Sequence, residues 1–425
     1  MRGSLSGLTT RGRCLTAAGL AAALCAVVLN ERDLLRVSVF VVALPMLVAT
    51  LTARTRVRLA ARRTLTPSRV PVGGSGDVGL EVWTTGRLPT GGLLLEDGVP
   101  YALGARPRFV VQRLPRRTGV RLSYPVQPVL RGIHPLGPLR VKVADPFGLT
   151  EFDRELAGQS ALTVVPKVVP LTGAPAGAGL GAGSDGSMRL HAGQGDNDVI
   201  VRPYRHGDDL RKVHWRSTAR RDEMMVRVEE RPWRGGTTVL IDHRAAAHQG
   251  DGPASSLEWA VSFAASVCLH LRRHGYRVRL ATEGGHVLTE SLGEGSSVTD
   301  NAILDSLAAL RPSHQRDLVC TRDLGAGQEL IAVLGAASAE SVAELNQHRP
   351  RGIRSLAVLL DTPAWTAPST APVSEPTSQA TDLLRGSGWS VTIARPSSPM
   401  PRVWTELCQA SKQQSSAQLD HGRLS

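Results

Sequence analysis

Residues 201–230, VRPYRHGDDLRKVHWRSTARRDEMMVRVEE, hold the chain's densest group of side chains able to do chemistry. Arginine forks beside carboxylates make bidentate, charge-assisted pairs. Histidine exchanges protons near neutrality, and an indole such as Trp215 offers a face on which guanidinium groups stack. Three uses compete: a buried polar hub, a surface for a partner or cell-envelope ligand, and acid–base catalysis by His206 or His214. The hub is the leading reading. Catalysis, a hydrolase in its simplest form, lacks support because no Ser or Cys nucleophile stands in a recognisable motif with either histidine. Nucleic acid is not expected as a partner. From Arg202 to Arg234 ten basic residues face six acidic ones, and Tyr204, Trp215 and Trp233 form no recognisable stacking module.

The elements around this stretch read in blocks. The formal charge of the 425 residues is +13, a value that invites a nucleic-acid reading until the charge is located. Residues 1–63 carry ten arginines against Glu31 and Asp33, so most of the excess flanks two uncharged apolar runs, 15–29 and 37–51. Two such runs joined by NERDLLR predict a transmembrane hairpin with basic flanks over 1–63. Anionic lipid headgroups attract those flanks. Arginines on the outer sides of both runs, against a charge-balanced loop, place both termini and the soluble bulk in the cytoplasm of a multi-pass membrane protein. The five cysteines lack any CxxC spacing, which predicts neither a disulfide framework nor a zinc site.

From 64 to 171, apolar alternation broken by glycine and proline predicts an antiparallel β-sandwich or partial barrel. Residues 172–194 read as a Gly-rich linker or loop, and 195–236 hold the charged segment. There Asp208 or Asp209 is placed to cap a short helix starting near Leu210. Strand and helix patterns then alternate over 237–414, predicting a doubly wound, mostly parallel sheet, and 415–425 reads as a disordered tail. The fold class is therefore α+β multidomain. No Gly-rich phosphate loop opens the last block, and no cofactor is expected.

The charged segment resembles the signature of the bacterial domain of unknown function 58 family, on Arg202, Tyr204, Gly207, Asp208, Arg211, Trp215, Arg216, Ala219 and Arg220. The family's layout is matched as well: two membrane spans, a β-sandwich ending in LGPLRVKVADPFGL, the signature, then a von Willebrand factor type A-like domain. The resemblance implies a membrane-anchored, non-enzymatic scaffold or assembly protein, envelope-linked, whose protein partners include a MoxR-type AAA+ ATPase.

One departure stands out. Metal-binding von Willebrand factor type A domains carry Asp-x-Ser-x-Ser after their first strand, and its oxygens coordinate a hard divalent cation. The equivalent stretch here is IDHRAAAH, in which Asp242 remains while Arg244 and Ala246 hold the two serine positions. An arginine beside a cation site repels the ion, so no metal is expected, and Asp242 is a remnant free to pair with a signature arginine. His243 and His248 read as solvated loop histidines.

The arginine asymmetry generates a topology test. Reporter fusions at Arg13 and Ser68 should both read cytoplasmic. An external signal at Ser68 would contradict the hairpin's orientation.

Overall fold

The computed structural model describes residues 8–54, 59–84, 93–112, 114, 119–144, 147–175, 199–203, 218–220, 224–229, 236–290, 297–320, 329–349, 354–366 and 372–421. The chain divides into two compact units, Met1–Val165 and Pro166–Ser425. Residues 166–171, expected with the sandwich, belong to the second unit, where Leu171 enters the core.

In the first unit, helices α1 (Thr10–Leu29) and α2 (Arg32–Arg54) are long and apolar enough to cross a membrane. Asn30 takes a left-handed conformation that closes α1 and turns the chain into α2. The helices pack closely at Gly19, where an added Cβ would lie 2.7 Å from Val42 Cγ2. Close backbone approach through a small residue is how apolar helices associate in lipid.

Among the described residues ten strands follow: β1 (Leu59–Thr66), β2 (Arg69–Pro71), β3 (Gly76–Thr84), β4 (Leu93–Asp97), β5 (Arg108–Val111), β6 (Val120–Val126), β7 (Gly132–Leu136), β8 (Leu139–Ala144), β9 (Glu151–Ala157) and β10 (Ser160–Val165). They form three sheets, ordered β1-β3-β6, β2-β10-β7 and β5-β4-β8-β9. All pairings are antiparallel except β2 with β10. Inward residues of the three sheets, among them Val70, Leu80, Leu95, Leu136, Leu139 and Leu162, share one core. At its edge the buried Asp97 carboxylate accepts from Arg63 Nε at 3.1 Å and from the Tyr124 hydroxyl at 2.7 Å. Burial and the bond to Asp97 raise the Tyr124 pKa, so the phenol stays a donor. Arg63, placed by sequence in the basic flank facing lipid, has a side chain only 2% exposed and is committed to this pair.

The second unit contains the antiparallel pair β11 (Val199–Pro203) and β12 (Met225–Glu229), which brackets the signature. It also holds a six-stranded sheet made of β13 (Gly236–Ile241), β14 (Arg277–Thr282), β15 (Val287–Glu290), β16 (Glu329–Leu334), β17 (Ser355–Leu360) and β18 (Trp389–Ala394). Its order is β15-β14-β13-β16-β17-β18, parallel throughout except for the edge strand β15. Helices α3 (Ser256–Arg273), α4 (Ser297–Ala309), α5 (Ala339–Gln347), α6 (Glu375–Gly386) and α7 (Met400–His421) connect or follow the strands.

Period-2 alternation within the strands serves both faces. Val239 and Ile241 pack with α3, α4 and α7, while Leu240 packs with α5 and α6. A sheet covered on both faces needs nearly continuous apolar strands, and β16 and β17 are buried at every position. Helix α4 starts at Ser297, so Thr299 and Asp300 lie inside its first turn. Helix α7 runs to His421, seven residues beyond the end read from sequence at 414.

Candidate functional site

The strand order reverses at β13: the chain moves outward to β14 and later returns on the other side as β16. Loops at the carboxyl ends of such strands diverge and leave a crevice, the usual ligand position in open α/β sheets. The loops here place Asp242 after β13, Glu283 after β14, Gly335 after β16 and Asp361 after β17.

Asp242 is fully buried. Its Oδ1 accepts the Arg244 backbone N–H at 3.1 Å, an aspartate-centred turn two residues long. The turn folds the Arg244 side chain back on the same carboxylate, with Nε to Oδ1 at 2.9 Å and Nη2 to Oδ2 at 2.8 Å. The guanidinium also donates to the Arg316 carbonyl at 3.0 Å and the Ala336 carbonyl at 3.3 Å. Gly335 N–H supplies Asp242 with a further bond at 3.3 Å. That approach requires glycine, since a Cβ at 335 would lie 2.3 Å from the Ala247 carbonyl oxygen. Burial works against the Arg244 charge, but hydrogen bonds and attraction from Asp242 reverse the effect, and its pKa lies above the ordinary value. A fixed internal cation therefore sits on the carboxylate. Asp242 was expected to be free for a signature arginine; its bidentate partner is Arg244, in its own loop, because the aspartate turn brings the two together locally.

The neighbouring histidines are engaged too, contrary to the solvated reading. His243 Nδ1 lies 2.7 Å from Glu283 Oε2, which also accepts the His243 N–H at 3.1 Å. His248 Nε2 donates to the Asp242 carbonyl at 2.8 Å, leaving Nδ1 to accept from the Ser256 hydroxyl at 3.0 Å. Burial holds the His248 pKa below its ordinary value, which keeps the ring neutral in this arrangement. At the next strand end, burial alone would raise the Asp361 carboxyl. Bonds from Ser374 (2.6 Å), Arg395 (3.0 Å) and Thr377 (3.2 Å) instead hold it below the usual range. Sequence reasoning missed Glu283, Asp361 and Arg395; each is an ordinary strand-end residue until the parallel register aligns the strand ends.

Of the signature residues, Arg202 lies on β11 opposite Val226, and Ala219 and Arg220 lie in the helical 218–220. Tyr204, Gly207, Asp208, Arg211, Trp215 and Arg216, with His206, His214 and the expected cap at Asp208 or Asp209, lie outside the described residues.

A second assembly joins the first apolar helix to the sandwich. Thr9 N–H donates to the Leu149 carbonyl at 3.0 Å and its hydroxyl to the Gly148 carbonyl at 2.7 Å, while Thr9 Oγ1 caps α1 through Gly12 N–H at 3.2 Å. A Cβ at Gly12 would lie 2.3 Å from the Leu149 oxygen. The backbone at 148–149 thus serves as the seat for the start of α1, and Phe147 beside it is 66% exposed.

Residues 200–328 match the family described as Protein of unknown function DUF58, the family whose signature this stretch resembles. No curated protein matches the chain. Among solved structures, a cohesin module from a Clostridium perfringens family 33 glycoside hydrolase is 14% identical, with 25% of this chain and 97% of that one covered at a TM-score of 0.19. A CARDB domain from Pyrococcus furiosus, in complex with di-metal ions, is 15% identical over 25% of this chain and 84% of its own, at 0.18. The alkylpurine DNA glycosylase AlkC of Pseudomonas fluorescens is 13% identical over 32% of this chain and 39% of its own, also at 0.18. Likenesses at these TM-scores carry no argument.

If Arg244 is the cation Asp242 depends on, Arg244→Ala leaves a buried carboxylate uncompensated and should destabilise the second unit by about 3–5 kcal/mol. Mg²⁺ should leave the melting temperature of the unsubstituted protein unchanged. A saturable rise that Asp242→Ala abolishes would contradict this, because a bound ion stabilises the folded state by mass action.

Proposed function

We propose that this protein is a membrane-anchored, non-enzymatic scaffold that works in envelope-linked assembly with a MoxR-type AAA+ ATPase. Its second unit is read as a von Willebrand factor type A-like module whose cation position is filled by an arginine. The observation that carries the reading is the Asp242–Arg244 pair at the reversal of strand order. Both carboxylate oxygens are bonded there, and the guanidinium is spent on the carboxylate and two carbonyls. A group so fully satisfied has little left for polarising a substrate, whereas it fixes three loop ends as one rigid surface. Docking of α1 on the 148–149 backbone supports the anchoring role, since the sandwich is held directly to the start of an apolar helix. Both spans cross the membrane in this reading, with the sandwich strands of the first unit and the whole second unit on the cytoplasmic side, where a soluble ATPase can reach them.

Capture from native membranes tests the proposal. The tagged full chain should co-purify an AAA+ ATPase. Trp215→Ala should lower the stability of the purified chain by about 3–5 kcal/mol, the range for truncating a large buried aromatic. Unchanged melting with lost capture would move Trp215 from hub to contact surface. Failure to recover any ATPase, together with hydrolase activity lost on changing His206 or His214 in a folded protein, would overturn the scaffold.

A further inference from the structure

Away from the Asp242 pair, the crossover from β15 back to β16 brings Cys320 against the last turn of α5. Glu344 lies in that turn, and His348, four residues on, is the residue that caps it, its Nδ1 3.2 Å from the Glu344 carbonyl oxygen. The thiol sulfur, a carboxylate oxygen and a ring nitrogen of these residues all lie within 4.8 Å of one another. The arrangement is held by the backbone: Cys320 N–H donates to Glu344 Oε1 at 3.1 Å, and His348 Nδ1 lies 3.7 Å from that oxygen. Cys320 is 4% exposed, whereas the Glu344 and His348 side chains are 28% and 29% exposed. The sulfur is therefore inside and the other two donors form the mouth.

We propose that Cys320, Glu344 and His348 form a binding site for a zinc-class divalent ion. Three donors of different softness, S, N and O, favour Zn²⁺ over Mg²⁺ or Ca²⁺, which take oxygen shells. Donors around a tetrahedral Zn²⁺ stand about 3.5 Å apart given bonds of about 2.0–2.3 Å. The observed spread needs only small rotamer shifts at the two half-exposed side chains. Three protein donors leave a fourth position for water on the open side. Binding forms the S–metal bond and breaks the S–H bond, releasing the thiol proton to solvent. In the metal-free protein that thiol donates to the Glu283 carbonyl at 3.4 Å. Cysteine spacing alone predicted no zinc site; the partners here are a helical Glu and His that only the crossover brings near.

Co²⁺ titration of the full-length protein in detergent, followed by absorption, provides the test. The proposal expects one equivalent of Co²⁺ to bind with a near-ultraviolet sulfur-to-cobalt charge-transfer band that Zn²⁺ then removes. Cys320→Ser should abolish the band while circular dichroism shows the fold retained. His348→Ala, at a half-exposed position, should weaken Co²⁺ binding at least about tenfold. Absence of the band in the unsubstituted protein, or a band that survives Cys320→Ser, overturns the site. Unchanged affinity in His348→Ala overturns it as well, and keeps the test decisive should Cys320→Ser fail to fold.

Discussion

Asp242 and Arg244 are two residues apart and wholly buried, and the surroundings of both depend on the bond between them. An ionised carboxylate taken from water into a protein interior is destabilising by several kcal/mol unless charge and hydrogen bonds compensate. The β13 loop provides both within three residues, because the aspartate turn points the Arg244 side chain back at its own carboxylate. Guanidinium donors left over then tie down the Arg316 and Ala336 carbonyls. The strand ends of β13 and β16 and the segment before Cys320 are thereby fixed to a single ion pair. Similar logic operates at Asp361 with Arg395, and in the first unit at Asp97 with Arg63. Each of these three buried aspartates is paired with an arginine, whose planar fork suits carboxylate geometry better than lysine does.

Residues 200–328 match the family Protein of unknown function DUF58; the signature begins on β11 and is followed by β12 and then by β13, after which comes Asp242. Position along the chain links the family's most distinctive residues to the β13 loop. At the other end, α1 is seated on backbone groups of the turn between β8 and β9. That seat needs a glycine at 12, where any side chain would meet the Leu149 oxygen, and a threonine at 9, whose hydroxyl both caps the helix and donates to the turn.

Much of this fold was legible in the sequence, for reasons that differ by element. Helix α3 announces itself by apolar periodicity, with a capping Ser255 and Gly275 just past its end, and β16 and β17 by short, wholly apolar runs. Strands β1, LAARRTLT, and β9, EFDRELA, were not legible. Their charges imitate a juxtamembrane flank and a loop, and only pairing reveals that Arg63 faces Asp97. The edge strand β15 is too short to show a pattern. At the site, the presence of Arg244 and Ala246 after Asp242 was readable. That Arg244 would fold back onto Asp242 was not, since it depends on backbone dihedrals in the turn. Glu283, Asp361 and the Cys320, Glu344 and His348 group depend on strand order and crossover, which no local pattern encodes.

The central claim is that one internal arginine supplies the charge Asp242 requires. A double-mutant cycle through Asp242→Ala and Arg244→Ala, read from the unfolding transition of the second unit of the full-length protein, measures that dependence directly. The account predicts strong coupling, from above about 1 to about 3 kcal/mol, with the double variant more stable than the sum of the single losses implies. Losses that simply add, to within about 0.5 kcal/mol, would show that the two side chains do not rely on each other and would contradict it.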